Sequence, residues 1–521
     1  MAGTKKLTEE IAQEILNSEL HGRKIYLLGS SEFGPTNRPV LIKSLGQLQK
    51  RFGLKGSLID AFQSVKEASQ ENDVYVVKTT GTHAITYFNV NISDGGIMED
   101  GFVLKASESN EAYNNVKITL HEEELTFHFP VEFGSQVRIY RFEEYELFGQ
   151  LVSAINTDTE NGLNLIHAQC LVDPSTPLLG SLAPCNPEEV FLYGGDSGLS
   201  YKKNQYYHAL QQSYDLLEGS DVDVIVPVEA YMDDVAPERY SYGQAEYGTL
   251  FYQDDRDYLT TKDGSPLLTY YGQLLDFCAR QMRFGLITHG VMGFNPTYDP
   301  SLFGQEDEYT FRVVEASLAL NFQDTTYEDL RFLVSIVAGD LGYRYGQSVS
   351  NGCTAYAGLI ASLSVPSNTT NVPLPESILL FNEMEEGTLR RLADMGVVSF
   401  RHSPFFERVV VFSGVTPAES AKTDLHLLCN VRMVQLVISY VRKTLEGYIG
   451  EDITGVIENG VLRKDVEYIL NILATKDVLL SFEVDFRVNW EEGELRFILV
   501  LQTQYMIEGV KVEGGFAIQT T

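Results

Sequence analysis

The sequence predicts a multi-domain protein of mixed α/β and α+β class, and three patterns along the chain support this. Near the start and again in the middle, helical segments alternate with strongly apolar strands, which is typical of a partly parallel sheet covered by helices. Between these regions the helical period disappears and apolar residues alternate with polar ones, which favours β structure. The C-terminal part combines helical periodicity with a long hairpin pattern.

The first α/β pattern follows a short amphipathic helix predicted at residues 5–20. An apolar strand at 23–29 precedes helical segments at 47–52 and 57–69, and a second strand follows at 73–78. This order of strand, helix and strand begins an α/β layer.

Alternating apolar residues then predict an inserted β-rich domain at residues 81–170, with turns supplied by segments such as SDGGIMEDG. The alternating positions are Val116, Ile118, Leu120, Leu125, Phe127, Phe129, Val137 and Ile139.

The α/β pattern resumes with a helix at residues 204–218 and an apolar strand within 221–230. Ser265 and Pro266 form a helix start, and that helix is predicted to reach residue 282 before a strand at 284–288.

The C-terminal region gives the clearest periodicity. A first helix carries an apolar stripe, which we expect to face its own domain's core rather than a coiled-coil partner. A second helix and a half-buried hairpin with an EEGE turn follow. The stripe comprises Leu427, Val431, Val434, Ile438, Val441, Leu445 and Tyr448; the second helix carries Leu462, Val466, Ile469 and Leu473; the hairpin faces are Leu480, Phe482, Val484, Phe486, Val488 and Trp490 against Leu495, Phe497, Leu499 and Leu501.

The last residues form short β-prone pieces separated by glycines, too few to make a core of their own. They must therefore pair with a sheet edge of their own chain or of a neighbour. The predicted domains are an N-terminal helical arm (1–22), the start of the α/β core (23–80), the β-rich insertion (81–170), the remainder of the core (171–420), a C-terminal domain of helices and hairpin (421–505) and a C-terminal strand arm (506–521).

The charge of the chain argues against two classes of partner. Asp and Glu number 72 against 39 Lys and Arg, a formal net charge of -33. Such a surface repels nucleic-acid phosphates and anionic membranes, while it favours solubility. No signal peptide and no membrane span is predicted, and the five widely spaced cysteines are expected to be reduced in a cytoplasm.

Three short motifs suggest catalysis but lack the rest of a site. GDSG at residues 195–198 has no accompanying histidine block of a serine protease, and YMDD at 231–234 lies in a chain too acidic for a template channel. QDDRDY at 253–258 lacks the glycine and glutamate of a calcium loop. We therefore predict no catalytic, cofactor-binding or metal residue and no cofactor, and we expect that the protein is not an enzyme.

Six blocks of sequence, taken in order, resemble the contractile phage tail sheath family. The strongest match lies in the C-terminal half, where an Asn-x-Pro-Leu loop, a valine-rich strand leading to Gly-Val-Thr, and a long helix ending near Tyr-Ile-Gly follow one another. One departure is the start, where many sheath proteins have a Pro-Gly-Val-Tyr strand and this chain has a helix. The blocks are residues 30–53, 109–120, 191–198, 359–375, 400–418 and 423–451.

The resemblance implies a structural subunit that polymerises into stacked hexameric rings around a tail tube and contracts to drive the tube through the host envelope. It implies an α/β sheath core with the β-rich insertion on the outside. Its partners would be further copies of itself, the tube protein, and baseplate and tail terminator proteins. The subunit would be assembled in the host cytoplasm and end in the virion tail. The sheath of a bacteriocin-like injection particle and an α/β hydrolase remain as alternatives.

Two groups of residues are candidates for the assembly interface. The C-terminal arm would add a strand to a neighbouring subunit. Three cations of the long helix either keep the surface soluble or contact an acidic tube or sheath partner. The candidates are Ile507, Val510, Val512, Phe516 and Ile518 in the arm, and Arg432, Arg442 and Lys443 on the helix.

Overall fold

An eight-stranded sheet with helices on both faces forms the centre of the molecule. The computed structural model describes residues 2–17, 24–92, 96–159, 165–179, 181–199, 203–232, 270–284, 286, 288–294, 310, 313–314, 328–343, 349–381, 383–418, 424–448, 460–489 and 494–503. Within these ranges the fold is mixed α/β with several sheets, which confirms the predicted class.

The helices and strands have the following bounds. The α-helices are α1 (Ala2–Asn17), α2 (Leu45–Phe52), α3 (Ser57–Ala68), α4 (Phe148–Thr157), α5 (Lys203–Leu217), α6 (Tyr270–Arg283), α7 (Gly352–Ser362), α8 (Glu386–Asp394), α9 (Leu428–Glu446) and α10 (Val461–Thr475). The strands are β1 (Lys24–Gly29), β2 (Val40–Ile42), β3 (Asp73–Lys78), β4 (Ile85–Ile92), β5 (Gly96–Ala106), β6 (Lys117–Leu120), β7 (Glu124–His128), β8 (Val137–Arg141), β9 (Ile166–Cys170), β10 (Glu189–Phe191), β11 (Val224–Pro227), β12 (His289–Gly293), β13 (Val334–Ala338), β14 (Asp340–Tyr343), β15 (Val349–Asn351), β16 (Ile378–Leu380), β17 (Val397–Ser403), β18 (Arg408–Val411), β19 (Leu479–Asn489) and β20 (Glu494–Thr503).

The central sheet has the strand order β18-β17-β13-β12-β11-β1-β3-β2. Its inner strands are parallel, and the edge strands β18 and β2 are antiparallel to their neighbours. The parallel strands are short apolar runs buried on both faces, as expected where helices cover both sides of a sheet. Helix α2 begins at a side-chain cap, in which the Ser44 hydroxyl accepts a hydrogen bond of 3.3 Å from the Gln47 amide.

The strand predicted at residues 284–288 is misplaced. The strand next to β11 is β12, His289–Gly293, whereas Phe284 lies at the end of α6 and is half exposed. Gly290 explains the error, because glycine has a low strand propensity and hides the strand in the sequence. The structure needs glycine here, since a Cβ would lie 2.8 Å from the Leu274 side chain. Close packing of α6 on the sheet therefore requires a glycine at this position of the strand.

The insertion folds into a unit with its own core, made of a three-stranded sheet β4-β5-β9, a four-stranded sheet β10-β6-β7-β8 and helix α4. That core runs from Ala84 to Leu192, and β10 pairs with β6. The predicted boundary at residue 170 is therefore too early, and the core region predicted from residue 171 resumes only after this unit. Two residues of the predicted apolar alternation, Val137 and Ile139, face solvent rather than the core.

The third unit combines the two ends of the described chain. Helix α1, predicted as a separate arm at residues 1–22, buries Ile11 and Ile15 against α9 and α10 of the same chain. The predicted hairpin is formed by β19 and β20 and covers the same cluster, with Phe482 opposite Leu501 and Val484 opposite Leu499. The N-terminal helix therefore belongs to the C-terminal unit.

Candidate assembly surface

Three of the predicted interface residues, Arg432, Arg442 and Lys443, lie on α9 of the C-terminal unit. That unit is held together by apolar packing and by polar contacts from α1. Lys443 of α9 pairs with Glu14 at 2.5 Å, and the Lys476 ammonium donates to the carbonyl of Leu16 at 2.8 Å. The Thr8 hydroxyl donates to Asp465 of α10 at 3.1 Å. These contacts fix α1 across both C-terminal helices.

The hairpin β19–β20 has two long edges without a strand partner among the described residues. It forms a two-stranded sheet, and no third strand pairs with it in the described part of the chain. One face rests on the C-terminal helices through half-buried Phe482 and Val484, and Glu483 and Asp485 point to solvent. Two-stranded ribbons are marginal alone, so such an edge is suited to accept another strand.

Arg432 does not lie on the surface, and the prediction of a surface cation at this position is wrong. Its guanidinium is buried and donates to the carbonyls of Leu363 at 2.9 Å and Ser364 at 3.3 Å. Burial lowers its pKa to about 10, with Tyr356 and Asp223 opposing that shift, so it stays charged at neutral pH. Arg432 therefore joins α9 to the α/β core instead of meeting a partner.

The other two cations are exposed but already paired within the chain. Arg442 contacts Glu446 one turn later on the helix at 3.3 Å, and Lys443 contacts Glu14. Surface pairs of this kind are weak and exchange readily, so both side chains can still turn toward another molecule. The five arm candidates, Ile507, Val510, Val512, Phe516 and Ile518, lie outside the described residues.

The carboxyl ends of β1, β3 and β11 lie at the edge where α/β proteins commonly bind ligands, and side chains of this chain pack there. Ser30 follows β1 and its hydroxyl donates to Glu229 beyond β11, and its amide donates to Ser57 at 3.0 Å. Burial raises the pKa of Glu229. Gly56 brings α3 so close that a Cβ would lie 2.3 Å from the Ser30 carbonyl oxygen.

Lys78 continues this packing into the insertion. It ends β3, is fully buried, and donates to the carbonyl of Ser109 at 2.7 Å. Burial lowers its pKa to about 8, and the carboxylates of Glu108, Glu111 and Asp196 act in the opposite direction. A buried lysine thus fastens the inserted unit to the edge where a ligand crevice would otherwise open.

The short motifs have structural surroundings where they are described. Ser197 of the GDSG turn is buried and donates to Glu111 through its amide at 3.1 Å and its hydroxyl at 2.8 Å, which anchors the turn. In YMDD, the amide of Met232 donates to the Gly293 carbonyl at 3.0 Å, and the two aspartates lie outside the described residues. QDDRDY also lies outside them.

The described part of the chain has neither a metal-binding cluster nor a membrane-spanning helix. Its His, Cys, Asp and Glu side chains form no cluster of three or more that could hold a metal ion. No described helix combines the length and apolarity needed to cross a membrane. The five cysteines are free thiols, three of them buried.

One solved structure shares this fold at low sequence identity. A sheath tail protein from Listeria innocua aligns over 96% of this chain and 99% of its own, with 12% identity and a TM-score of 0.53. The chain has the sheath tail protein fold. Weaker likenesses include a sheath tail protein from Desulfitobacterium hafniense (94% and 98% covered, 10% identity, TM-score 0.48) and a chain of the anti-feeding prophage baseplate in its contracted state (95% and 94% covered, 12% identity, TM-score 0.48). The sequence matches no protein-family model and no curated protein.

Within the sheath tail protein fold, sequence reasoning missed one exposed feature. Phe405 and Phe406 lie in the turn between β17 and β18, and both rings are exposed. The sequence predicts a valine-rich strand around them, but the Ser-Pro that precedes two phenylalanines and a glutamate is a turn signal. Adjacent phenylalanines in a predicted turn would have identified this surface.

Proposed function

We propose that this chain is the structural subunit of a contractile phage tail sheath and acts by assembling with copies of itself. The full-length likeness in fold to a sheath tail protein carries this proposal. The polar packing at the carboxyl ends of β1, β3 and β11 supports a structural role, because Ser30, Glu229 and Lys78 occupy this part of the edge where α/β proteins commonly bind ligands.

Copies would be linked by strand addition at the hairpin β19–β20. Its backbone edges are open in the described part, and the residues that follow it alternate apolar side chains at Val510 and Val512. A strand donated by a neighbour supplies main-chain hydrogen bonds along such an edge. Glycines at Gly509, Gly514 and Gly515 give the linking segment the freedom to follow rotations of the subunits it joins.

Contraction then needs no fuel, since the extended sheath would be a kinetically trapped state that buries less surface than the contracted one. A gain of even about 1 kcal/mol per subunit, summed over a long sheath, reaches the scale of many folding free energies. The partners would be the tube inside and baseplate and terminator proteins at the two ends. The phage tail is the particle we favour over a bacteriocin-like one, and DNA-filled heads on purified particles would establish it.

The strand arm gives the decisive experiment. Removing residues 506–521 should leave a folded monomer that no longer forms long polymers under the electron microscope. A finer variant, Val510→Ser with Val512→Ser, should weaken polymerisation because it removes the apolar face of the arm. Lys511→Ser, between them on the opposite face, is the matched control and should polymerise normally. Normal sheaths from the truncated chain would refute the role of the arm.

A further inference from the structure

The turn between β17 and β18 holds two aromatic rings out in solvent. Phe405 is 86% exposed and Phe406 43% exposed, and their ring centroids lie 5.0 Å apart with the planes perpendicular. A hydrogen bond from the Phe406 amide to the Ser403 hydroxyl, 3.4 Å long, closes the turn. Glu407 ends it in the left-handed backbone conformation, with φ of +53°. An ordered aromatic pair in water is typical of a surface that is covered in an assembly.

A second exposed apolar surface lies on the inserted unit. Edge strand β8 turns Val137 and Ile139 outward, 56% and 50% exposed, opposite His128 and Thr126 of β7. Arg141 follows on the same face, because alternate residues of a strand share a face, and it is also exposed. The strand therefore presents two apolar side chains followed by a cation.

The turn presents the matching order of two aromatic side chains followed by an anion, Glu407. Neither Glu407 nor Arg141 forms an ion pair within the described ranges. Basic residues are scarce in this chain, which has 72 acidic and 39 basic residues. An exposed arginine beside an apolar strip therefore forms a docking surface that suits an acidic, aromatic segment.

The two surfaces do not cover each other within one chain, as their exposure shows. The topology explains why. The turn follows β17, the insertion follows β3, and these strands are five spacings apart in the sheet, about 24 Å at about 4.8 Å per spacing. The turn and the insertion both leave the sheet at the carboxyl ends of parallel strands. They therefore flank the same edge of the sheet from opposite sides.

We propose that the aromatic turn of one copy packs on β8 of a second copy, with Phe405 and Phe406 against Val137 and Ile139 and with Glu407 facing Arg141. The two surfaces are different, so the contact runs head to tail, the type that generates rings or helical filaments rather than closed dimers. This inference rests on the self-assembly proposed above, but it assigns a contact that is independent of the strand arm.

Charge exchange tests the pairing directly. Glu407→Arg and Arg141→Glu should each raise the concentration needed for polymerisation, measured by sedimentation, because each places like charges face to face. The double variant should restore assembly toward that of the wild type. Equal effects of the single and double variants would contradict the pairing of these two residues.

The aromatic contribution is tested by Phe405→Ser with Phe406→Ser, which should raise that concentration about tenfold or more through the loss of buried apolar area. Leu54→Ser is the matched control, since Leu54 is 69% exposed in another turn, and it should have little effect. Circular dichroism shows whether each variant is folded. Unchanged assembly of the aromatic variant would overturn this contact, leave the proposed function standing, and point to another protein as the partner of the turn.

Cysteine cross-linking identifies the partner surface. One preparation carries Phe405→Cys and a second carries Ile139→Cys, both with Cys170 and Cys185 replaced by serine. Mixing the two under oxidising conditions should give a disulfide-linked dimer that neither preparation forms alone. Assembled material without that dimer would overturn the contact, and a wild-type chain that stays monomeric at high concentration would overturn both this contact and the proposed function.

Discussion

At the scale of residues, several polar side chains are buried where the units meet or within the central sheet. Arg432 crosses from α9 to the loop after α7, and Lys78 crosses from the sheet to the insertion. His289 lies in the sheet with its Nε2 2.9 Å from the Ser335 hydroxyl, and burial lowers its pKa to about 3, so it is neutral at physiological pH. Buried polar groups of this kind fix how elements dock, because a misplaced partner leaves a donor unsatisfied.

The same substitution at two arginines of α9 should have costs of very different size. Arg432→Ala should lower the free energy of unfolding by about 3 kcal/mol, because two buried carbonyls lose a charged donor. Arg442→Ala should cost less than about 0.5 kcal/mol, since its pair with Glu446 is exposed. Urea denaturation of the two variants checks this, and similar costs for both would show that Arg432 is not held as described.

At the scale of elements, the buried face of α9 differs from the stripe that the sequence indicates. Val434 and Ile438 are only half buried, whereas Met433 and Val437 are fully buried against α1 and α10. The stripe identified the helix correctly but placed its buried face roughly a quarter turn away. The reason is that helices on two sides cover α9, and Thr444 can be buried because its hydroxyl donates to the Tyr440 carbonyl at 2.9 Å.

The hairpin shows a similar change at its first residues. The register of β19 against β20 shifts between Leu479 and Ser481, so Leu480 is left unpaired and exposed while Leu479 is buried. A bulge inserts one residue and thereby changes which side chain reaches the core.

Neighbouring leucines therefore provide a matched pair. Leu479→Thr should destabilise the C-terminal unit by about 2 kcal/mol, because it removes a buried apolar side chain. Leu480→Thr, one residue later, should change stability by less than about 0.5 kcal/mol. Hydrogen exchange of the α10 amides measures the difference, and the reverse order of effects would place Leu480 in the core and exclude the bulge.

At the scale of the whole molecule, the insertion is a separable unit joined to the core at two adjacent chain crossings. Thr82 and Asp196 pair through two backbone hydrogen bonds of 3.0 Å, which brings the ends of the insertion together. The contacts across the boundary are largely polar, including Thr36 to Ser109 at 2.6 Å and the Gly34 amide to Glu108 at 3.3 Å. Such a boundary leaves each side with its own apolar core.

Excision of the insertion should therefore leave a folded protein. Joining Thr82 to Asp196 through a short glycine linker should keep the eight-stranded sheet, with a thermal midpoint within about 5 °C of the wild type. Residues 82–196 expressed alone should fold as well and serve as the companion sample in circular dichroism. An excised chain that is unfolded would show that the core depends on the insertion for stability.

The excised chain also separates the two proposed contacts between copies. It keeps the hairpin β19–β20 and the C-terminal arm but lacks β8, so we expect it to polymerise more weakly than the intact chain.

The sequence by itself determined the class of fold, the approximate position of most described helices and strands and the pairing of the last hairpin, because periodicity and turn residues are local properties. Only the tertiary structure decided what those faces meet. It buried Arg432 against Leu363 and Ser364, turned Val137 and Ile139 outward, and packed α1 on the C-terminal helices. Each of these outcomes depends on segments that are distant in sequence. A period shows which residues share a face, but the free energy of burial depends on the surface that covers it.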